Sequence, residues 1–199
     1  MKYLIIGLGN IGDEYSNTRH NIGFTILDTW ARKSNTIFED KRYGSISSVK
    51  QRGRNYVLLK PSTFMNRSGN AINYWVKKEK IPFERILVVV DDISLPFGSI
   101  RLRPKGGDGG HNGLAHINSI FGHGNYARLR FGIGNDFYSG AQADYVLSEW
   151  NEKEIESLPD RLDLAIEMIK SFGTIGLELT MTRFNKLARI NPDDNDGAS

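Results

Sequence analysis

The chain contains no cysteine among its 199 residues. This absence excludes disulfide bonds, a thiol nucleophile, and any zinc or iron–sulfur site built from thiolate ligands. It is typical of a protein that works in a reducing compartment. A chain of this length can bury a substantial hydrophobic core without such cross-links, so we expect one globular domain over residues 1–190.

Long apolar runs are absent as well. The apolar segment near the N-terminus, Tyr3–Ile6, is too short for the hydrophobic core of a signal peptide. No run approaches the roughly 18 residues that a membrane-spanning helix needs. We therefore expect a cytoplasmic protein with no membrane partner. The polar segment 191–199 is expected to be a disordered tail.

Charge is distributed unevenly along the chain. Residues 1–135 contain 20 Lys and Arg and 10 Asp and Glu, a net charge of +10, whereas residues 136–199 contain 6 and 13, a net charge of −7. The excess of positive charge in the first part favours an anionic partner such as a nucleic acid. Two ordinary solvated faces would give the same counts, so the positions of the basic residues must decide.

Apolar, β-branched segments alternate along the chain with segments of helical periodicity. This alternation predicts an α/β fold, in which a twisted, mixed but mostly parallel β-sheet is flanked by helices on both faces. We expect Ser68 to cap the second helix, and Pro159, Gly173 and Gly176 to interrupt the C-terminal helices. The expected strands are Tyr3–Ile6, Ile46–Val49, Tyr56–Leu59, Ile86–Val90, Ile100–Leu102 and Leu129–Ile133.

Directly after the first strand, Gly7, Gly9 and Gly12 have the spacing G-x-G-x-x-G. Such a turn can bind a pyrophosphate through backbone N–H groups, so an NAD(P)-dependent oxidoreductase is one interpretation. In those proteins the helix starts at the glycines and an acidic residue about 20 positions further on binds the ribose. Here that distance leads to Asp28, inside the first helical pattern. We therefore interpret the glycines as shaping a loop. The residues that this loop presents are Asn10, Tyr15 and His20.

Five segments with unusual composition follow one another in the chain: GLGNIGDEYSNTRHNIG, KPSTFMNRSG, DDISLPFGSIRLR, GGDGGHNGL and RLRFGIG. In this order they closely resemble the signature segments of bacterial peptidyl-tRNA hydrolases. The similarity extends from Lys2 to about Gly134 and resumes at DYVLSEW. Two positions depart from the family pattern: Ile11 stands where proline is usual, and Ser94 where an acidic residue is common.

The resemblance implies an enzyme that hydrolyses the ester bond between a peptide, or an N-blocked aminoacyl group, and the 3′ end of tRNA. Such an enzyme recycles tRNA from stalled or abandoned translation, works as a monomer, and needs neither a cofactor nor a metal. Its partner is peptidyl-tRNA, recognised through the acceptor stem and the 3′ end.

By the same resemblance, His20 is the catalytic base and Asp91 is the acid that orients it. An imidazole with an unperturbed pKa of about 6.5 can take a proton from water near neutral pH. It needs a carboxylate that fixes its tautomer and stabilises the imidazolium, and Asp91 directly follows the strand ILVVV. The carboxyl ends of strands are also where α/β sheets bind ligands. Without the resemblance, a capping histidine and a turn aspartate would explain the same residues.

Three asparagines are candidate substrate ligands, because a side-chain amide offers donors and an acceptor without titrating. The resemblance implies that Asn10 contacts the acylated amino end of the substrate, and that Asn66 and Asn112 hold the peptide and the adjoining ester. It also places Tyr15 and Phe64 at the substrate, where an aromatic ring can stack on the 3′-terminal base. Asparagine is also common in turns, and tyrosine and phenylalanine are common in cores, so these roles rest on the family resemblance.

Basic residues lie on two of the expected strands. Strand alternation predicts that Arg101 and Arg103 share one face, and that Arg128 and Arg130 do the same, which suits binding to phosphates. A solvated strand face would look the same in sequence. The resemblance favours Arg103 and Arg130 as tRNA phosphate ligands, with Lys105 as a further candidate.

Metal and nucleophile motifs are missing. Metal-ligating side chains occur at His20, Asp91, Asp92 and His111, but neither H-E-x-x-H nor a cysteine set is present, so we expect no metal. A G-x-S-x-G elbow is also absent, which favours direct attack by water without a covalent intermediate. A catalytically inactive RNA-binding protein of the same fold is the remaining alternative, although the presence of His20, Asp91 and the three asparagines argues against it.

Overall fold

A computed structural model describes residues 1–190, so the tail expected at 191–199 lies outside the described residues. The strands of these residues form one sheet. In chain order they are β1 (Lys2–Gly7), β2 (Glu39–Lys41), β3 (Gly44–Gln51), β4 (Arg54–Pro61), β5 (Ile86–Asp92), β6 (Ile100–Arg103) and β7 (Ala127–Gly132). The α-helices are α1 (Ile22–Lys33), α2 (Ser68–Glu79), α3 (Asn112–Phe121), α4 (Gln142–Val146), α5 (Glu152–Ile175) and α6 (Leu177–Phe184).

The sheet is parallel at its centre and antiparallel at its edges. Its strand order is β2-β3-β4-β1-β5-β7-β6. The pairs β4–β1, β1–β5 and β5–β7 are parallel, whereas β2–β3, β3–β4 and β6–β7 are antiparallel. β5 lies in the interior of the sheet between β1 and β7 and is buried on both faces, as its continuous apolar sequence predicts.

Helices cover both faces of the sheet and enclose two separate hydrophobic cores. On one face, α1 and α5 contribute Trp30 and Ile169 to a core that also contains Leu129 and Phe131 of β7. On the other face, α2 and α3 pack against alternate residues of the same strands, with Trp75 fully inside. The predicted α/β fold with helices on both faces is confirmed. No helix within residues 1–190 has both the length and the apolarity to cross a membrane.

Three of the expected helix signals are wrong. Ser68 is the first helical residue of α2 rather than its cap, and its hydroxyl donates a hydrogen bond to the carbonyl of Met65. α5 runs without interruption through Pro159 and Gly173 and ends only at Gly176. An interior proline costs a helix about 3 kcal/mol, and burial of the apolar face that includes Leu158 and Leu162 offsets this cost.

The opening glycines serve the packing of β1 against α1. A Cβ at Gly7 would overlap the backbone carbonyl of Gly23, so this close approach requires glycine. Gly12 has a φ of 117°, which favours glycine and turns the chain into the loop that follows. α1 begins only at Ile22, well beyond these glycines. The helix therefore does not start at them, as a dinucleotide site would require.

Candidate active site

A cleft of about 1470 Å³ opens at the carboxyl ends of the central strands. It is larger than the roughly 300–1,000 Å³ of an ordinary small-molecule pocket, which suits a substrate larger than one metabolite. Tyr15 is half-buried in the short 3₁₀ turn Asp13–Tyr15 and does not line this cleft. The other candidate residues all line it: Asn10, His20, Phe64, Asn66, Asp91, Arg103, Lys105, Asn112 and Arg130.

His20 and Asp91 form a buried pair at the floor of the cleft. Nδ1 of His20 lies 2.9 Å from Oδ2 and 3.0 Å from Oδ1 of Asp91. His20 belongs to the 3₁₀ turn Arg19–Asn21, just ahead of α1, while Asp91 is near the end of β5. The side chains are 71 positions apart in sequence, and the parallel sheet brings them together as the strand-end rule predicts.

Each member of this pair shifts the pKa of the other. Burial alone lowers the pKa of the His20 imidazole, but the charge and hydrogen bond of Asp91 outweigh burial and raise this pKa above 6.5. Burial alone raises the pKa of the Asp91 carboxyl, but its interactions with His20 and His111 hold it well below its usual range. Asp91 is therefore ionised and only accepts hydrogen bonds, so Nδ1 of His20 carries the proton.

A second histidine, His111, shares the same carboxylate. Nε2 of His111 donates to Oδ1 of Asp91 over 2.8 Å. Its Nδ1 accepts hydrogen bonds from the backbone N–H groups of Gly113 and Leu114, at 3.1 and 3.4 Å, and so caps α3. Because Nδ1 accepts these bonds it carries no proton, and the ring is the neutral Nε2–H tautomer.

This tautomer bears on metal binding at the cluster of His20, Asp91 and His111, whose potential ligand atoms lie within 4.8 Å of one another. A metal at Nε2 of His111 would need the proton to move to Nδ1, where it would face two backbone N–H groups. The donor set therefore does not fit a metal ion, although its residue types do.

Asn10 is held in place by two neighbouring segments. Its backbone N–H donates to Oδ1 of Asn21 over 2.8 Å, and Nδ2 of Asn21 donates back to the Asn10 carbonyl over 2.9 Å. The side-chain oxygen of Asn10 accepts a bond from the backbone N–H of Met65 over 2.9 Å. Since its oxygen is occupied, Asn10 has its amide N–H₂ group left to offer a ligand in the cleft.

Asn66 and Asn112 lie near Asn10 at the rim of the cleft. Asn66 is in the 3₁₀ turn Met65–Arg67, and Asn112 is the first residue of α3. Both are exposed, and neither side chain makes a hydrogen bond to residues 1–190. Phe64, which precedes this turn, is 60% exposed. Free amides beside an exposed ring provide polar contacts and a stacking surface for a ligand.

Four arginines lie together on one face of the sheet beside the cleft. β6 and β7 pair so that Arg101 is opposite Arg130 and Arg103 is opposite Arg128. Leu129 points into the core under α1 and α5, so the arginines lie on the opposite face. The predicted sharing of a face by each basic pair is confirmed.

These arginines differ in what they already bind. Arg128 is only 2% exposed and donates to the backbone carbonyls of Gly107 and Gly124, at 2.6 and 3.1 Å, which fixes the glycine-rich loop. Arg130 forms an ion pair with Asp92 and also donates to Oγ of Ser94 over 3.0 Å. Neither Arg101 nor Arg103 forms an ion pair within residues 1–190.

Sequence reasoning missed His111 and Asn21 as organising residues. His111 had a usable signal, because it directly precedes the helix pattern that starts near Leu114 and so occupies a capping position. Asn21 had none, since its partner is the backbone of Asn10 rather than a side chain.

Fold and site together define a class of single-sheet α/β protein with a histidine–carboxylate pair in an open cleft beside a basic sheet face. The family model for peptidyl-tRNA hydrolase matches residues 4–193. The chain belongs to the peptidyl-tRNA hydrolase family.

Individual relatives cover nearly the whole chain. A peptidyl-tRNA hydrolase of Phocaeicola vulgatus is 55% identical over 186 residues, which are 94% of this chain and 100% of the relative. One from Bacteroides fragilis is 56% identical with the same coverage. Among solved structures, peptidyl-tRNA hydrolase from Acinetobacter baumannii superposes with a TM-score of 0.86 at 34% identity, over 92% of this chain and 94% of that one.

Proposed function

We propose that this protein hydrolyses the ester bond between a peptide and the 3′ end of tRNA, with His20 as the base that activates water. Family membership at about 55% identity supports the reaction. The observation that carries the residue assignment is the buried hydrogen bond of 2.9 Å between Nδ1 of His20 and Asp91. It leaves Nε2 of His20 unprotonated and available to a water molecule.

In the reaction, Nε2 of His20 removes a proton from water while the water oxygen attacks the ester carbonyl carbon. The carbonyl oxygen becomes an oxyanion, which amide N–H groups of the asparagines stabilise. The ionised Asp91 stabilises the imidazolium. When the tetrahedral intermediate collapses, the bond to the ribose oxygen breaks and His20 returns the proton to that oxygen. The products are a peptide with a free carboxylate and a tRNA with a free 3′ hydroxyl.

Asn10 binds the acylated amino end through its N–H₂ group, and Asn66 and Asn112 hold the peptide and the ester. The exposed ring of Phe64 stacks on the terminal base. The family pattern alone assigns Tyr15 to the substrate, since this residue does not line the cleft.

The acceptor stem of the tRNA lies across the basic face. Arg103 and Lys105 line the cleft there and bind phosphates. Arg130 also binds a phosphate, but more weakly, because Asp92 already neutralises part of its charge. The catalytic domain comprises residues 1–190, acts as a monomer in the cytoplasm, and returns tRNA from stalled translation to use.

A release assay tests this function. N-acetyl-aminoacyl-tRNA should be cleaved to free tRNA and the N-acetyl amino acid, whereas unblocked aminoacyl-tRNA serves as the control that is cleaved far more slowly. Binding of the blocked substrate without release would instead identify an inactive RNA-binding protein. Quenching of the fluorescence of the three tryptophans by NAD or NADP, with no ester cleavage, would identify the oxidoreductase.

A further inference from the structure

Arg19, the residue directly before His20, is buried and turned away from the cleft. It is 6% exposed, and its Nη2 donates to Oε2 of Glu154 over 2.7 Å. Glu154 is 8% exposed and belongs to the first turn of α5. An ion pair this deeply buried joins the turn that carries His20 to the acidic C-terminal part of the chain.

Further contacts hold the same guanidinium from several sides. Nη1 of Arg19 donates to Oγ of Ser148 over 2.6 Å and to the backbone carbonyl of Glu149. The guanidinium carbon lies 4.7 Å from the centre of the Tyr145 ring and 5.4 Å from that of Trp150, within the range of cation–π contacts. These contacts fix the orientation of Arg19 relative to residues 145–150.

The backbone of the same turn is also attached to this segment. The N–H of Arg19 donates to the carbonyl of Ser148 over 3.0 Å, and Thr18 forms an isolated antiparallel bridge with Glu149. Side chain and backbone therefore act on one segment, which leaves the turn little freedom to rotate.

Glu154 has a second partner that makes its carboxylate a fixed point. Its Oε2 accepts a bond from the backbone N–H of Asn151 over 2.8 Å, and the Asn151 side chain accepts one from the N–H of Glu154 over 2.9 Å. This capping box anchors the carboxylate to the start of α5. Arg19 is thus held against a rigid helix end rather than a mobile side chain.

The segment that Arg19 grips also forms one wall of the cleft. Val146 and Leu147, which follow Tyr145, line the cleft together with His20. The hydroxyl of Tyr145 donates to the carbonyl of Ile133 over 2.6 Å, which ties this wall to the chain after β7. Arg19 therefore sets the placement of the His20 turn relative to the wall.

We propose that Arg19 and Glu154 are positioning residues for the hydrolysis, forming a buried clamp that holds the turn Arg19–Asn21 in its catalytic geometry. This inference rests on the proposed function. Three successive residues of the turn bind three different parts of the protein: Arg19 the start of α5, His20 the carboxylate of Asp91, and Asn21 the backbone of Asn10. Loosening the first contact displaces the base and the amide donor together.

Loss of the contact between Arg19 and Glu154 should slow the chemical step without weakening tRNA binding. Phosphate-binding side chains such as Arg103 are on β6, which the clamp does not contact. A displacement of about 1 Å at reacting groups costs up to about a hundredfold in rate. We therefore expect the clamp to affect kcat while KM changes little.

The test uses Arg19→Lys, Glu154→Gln and the double variant in the full chain. Gln keeps an oxygen for the Asn151 N–H but removes the negative charge that pairs with Arg19, so the helix cap is retained while the ion pair is lost. Single-turnover cleavage of N-acetyl-aminoacyl-tRNA at saturating enzyme should slow by about 10- to 100-fold, with KM within about threefold of the parent. Because both residues act through one ion pair, the double variant should be no slower than the slower single variant.

Arg161→Lys is the matched control. Arg161 lies in α5 and, like Arg19, donates to backbone carbonyls, here those of Gly98 and Ala188. It forms no hydrogen bond with the His20 turn. Its variant should lose a similar amount of thermal stability and keep the parent rate. If Arg19→Lys does not fold, Ser148→Ala removes one Arg19 contact and should slow the same step.

A readout that does not depend on activity separates this inference from the proposed function. The ring proton NMR signals of His20 should move in Arg19→Lys and Glu154→Gln and stay in place in Arg161→Lys. Unmoved His20 signals in both clamp variants, a cleavage rate within about twofold of the parent, or a raised KM at unchanged kcat would overturn the positioning role. A parent protein that cleaves no ester would instead overturn the proposed function.

Discussion

Nδ1 of His20 is 2.9 Å from the carboxylate of Asp91, and this contact decides which ring nitrogen carries the proton. Since the ionised carboxylate can only accept, Nδ1 carries the proton and Nε2 keeps its lone pair. The lone pair is what a general base needs. Under the proposed function, Nε2 is therefore the atom of His20 that removes the proton.

Replacing His20 by alanine removes that atom. We expect the His20→Ala variant to cleave N-acetyl-aminoacyl-tRNA about a hundredfold to ten-thousandfold more slowly, the usual contribution of a general base. Its affinity for tRNA should stay close to that of the parent, because the basic side chains are elsewhere. Single-turnover kinetics and a filter-binding titration measure the two quantities. A variant that still cleaves at the parent rate would remove His20 from the mechanism.

Asp91→Asn should slow cleavage by about 10²- to 10⁴-fold, because asparagine can hold the wrong tautomer of His20. It should also change the pH profile. The rate rises with pH as His20 loses its proton, and in the parent Asp91 raises the pKa of that group above 6.5. Without the carboxylate only burial acts, and burial lowers the pKa. The acidic limb of kcat/KM should therefore move to lower pH. A limb that stays in place would show that another group titrates.

Substitutions of His111 should move the acidic limb of the kcat/KM pH profile to higher pH, opposite to the effect of Asp91→Asn. The Nε2–H of His111 withdraws negative charge from Asp91, so its loss leaves a carboxylate that holds the His20 proton more strongly. His111→Ser supplies a new capping oxygen for α3, whereas His111→Ala does not, which should lower the free energy of unfolding of the alanine variant by about 1 kcal/mol relative to serine. Both variants should show the acidic limb at higher pH, and urea titrations should separate their stabilities. Equal stabilities would show that Nδ1 of His111 does not cap the helix.

Arg103, which forms no ion pair within residues 1–190, should contribute more to tRNA binding than Arg130, which is paired with Asp92. Arg103→Ala should weaken binding of every tRNA and reduce the slope of log K against log salt by about one phosphate contact. Arg130→Ala should change the slope less, because its charge is already partly neutralised by Asp92. Binding measured between about 50 and 200 mM salt compares the two variants. An unchanged slope for Arg103→Ala would show that this residue does not touch phosphate.

The sequence predicts six of the seven strands in residues 1–190 and the contact between His20 and Asp91, but it misses β2 (Glu39–Lys41), whose three residues are all exposed and give no apolar pattern. The run Ile86–Val90 predicts a buried central strand, and the rule that ligands bind at carboxyl ends of strands then places Asp91 at a site. The family motifs connect it to His20. Local pattern and family resemblance agree at these positions, and the structure confirms the contact between them.

Other features depend on contacts between distant segments, which local patterns do not contain. Pro159 is a helix breaker by propensity, yet α5 continues through it because the neighbouring residues Leu158 and Leu162 are buried in the hydrophobic core. The neutralisation of Arg130 requires Asp92, 38 positions away, and the burial of Arg19 requires Glu154, 135 positions away. The residue type and the family motif both predict Tyr15 at the substrate, but in the structure this residue does not line the cleft.

Asp91 and Asp92 are consecutive residues of β5, and both line the cleft, where their carboxylates hold different groups. The first carboxylate holds the two histidines, and the second holds Arg130 on the basic face. Side chains alternate along a strand, so inserting or deleting a single residue in β5 would turn its side chains to the opposite faces of the sheet. The register of β5 therefore sets the placement of both carboxylates at once, and a change in the residue count of this strand would displace the histidine pair and the Arg130 ion pair together.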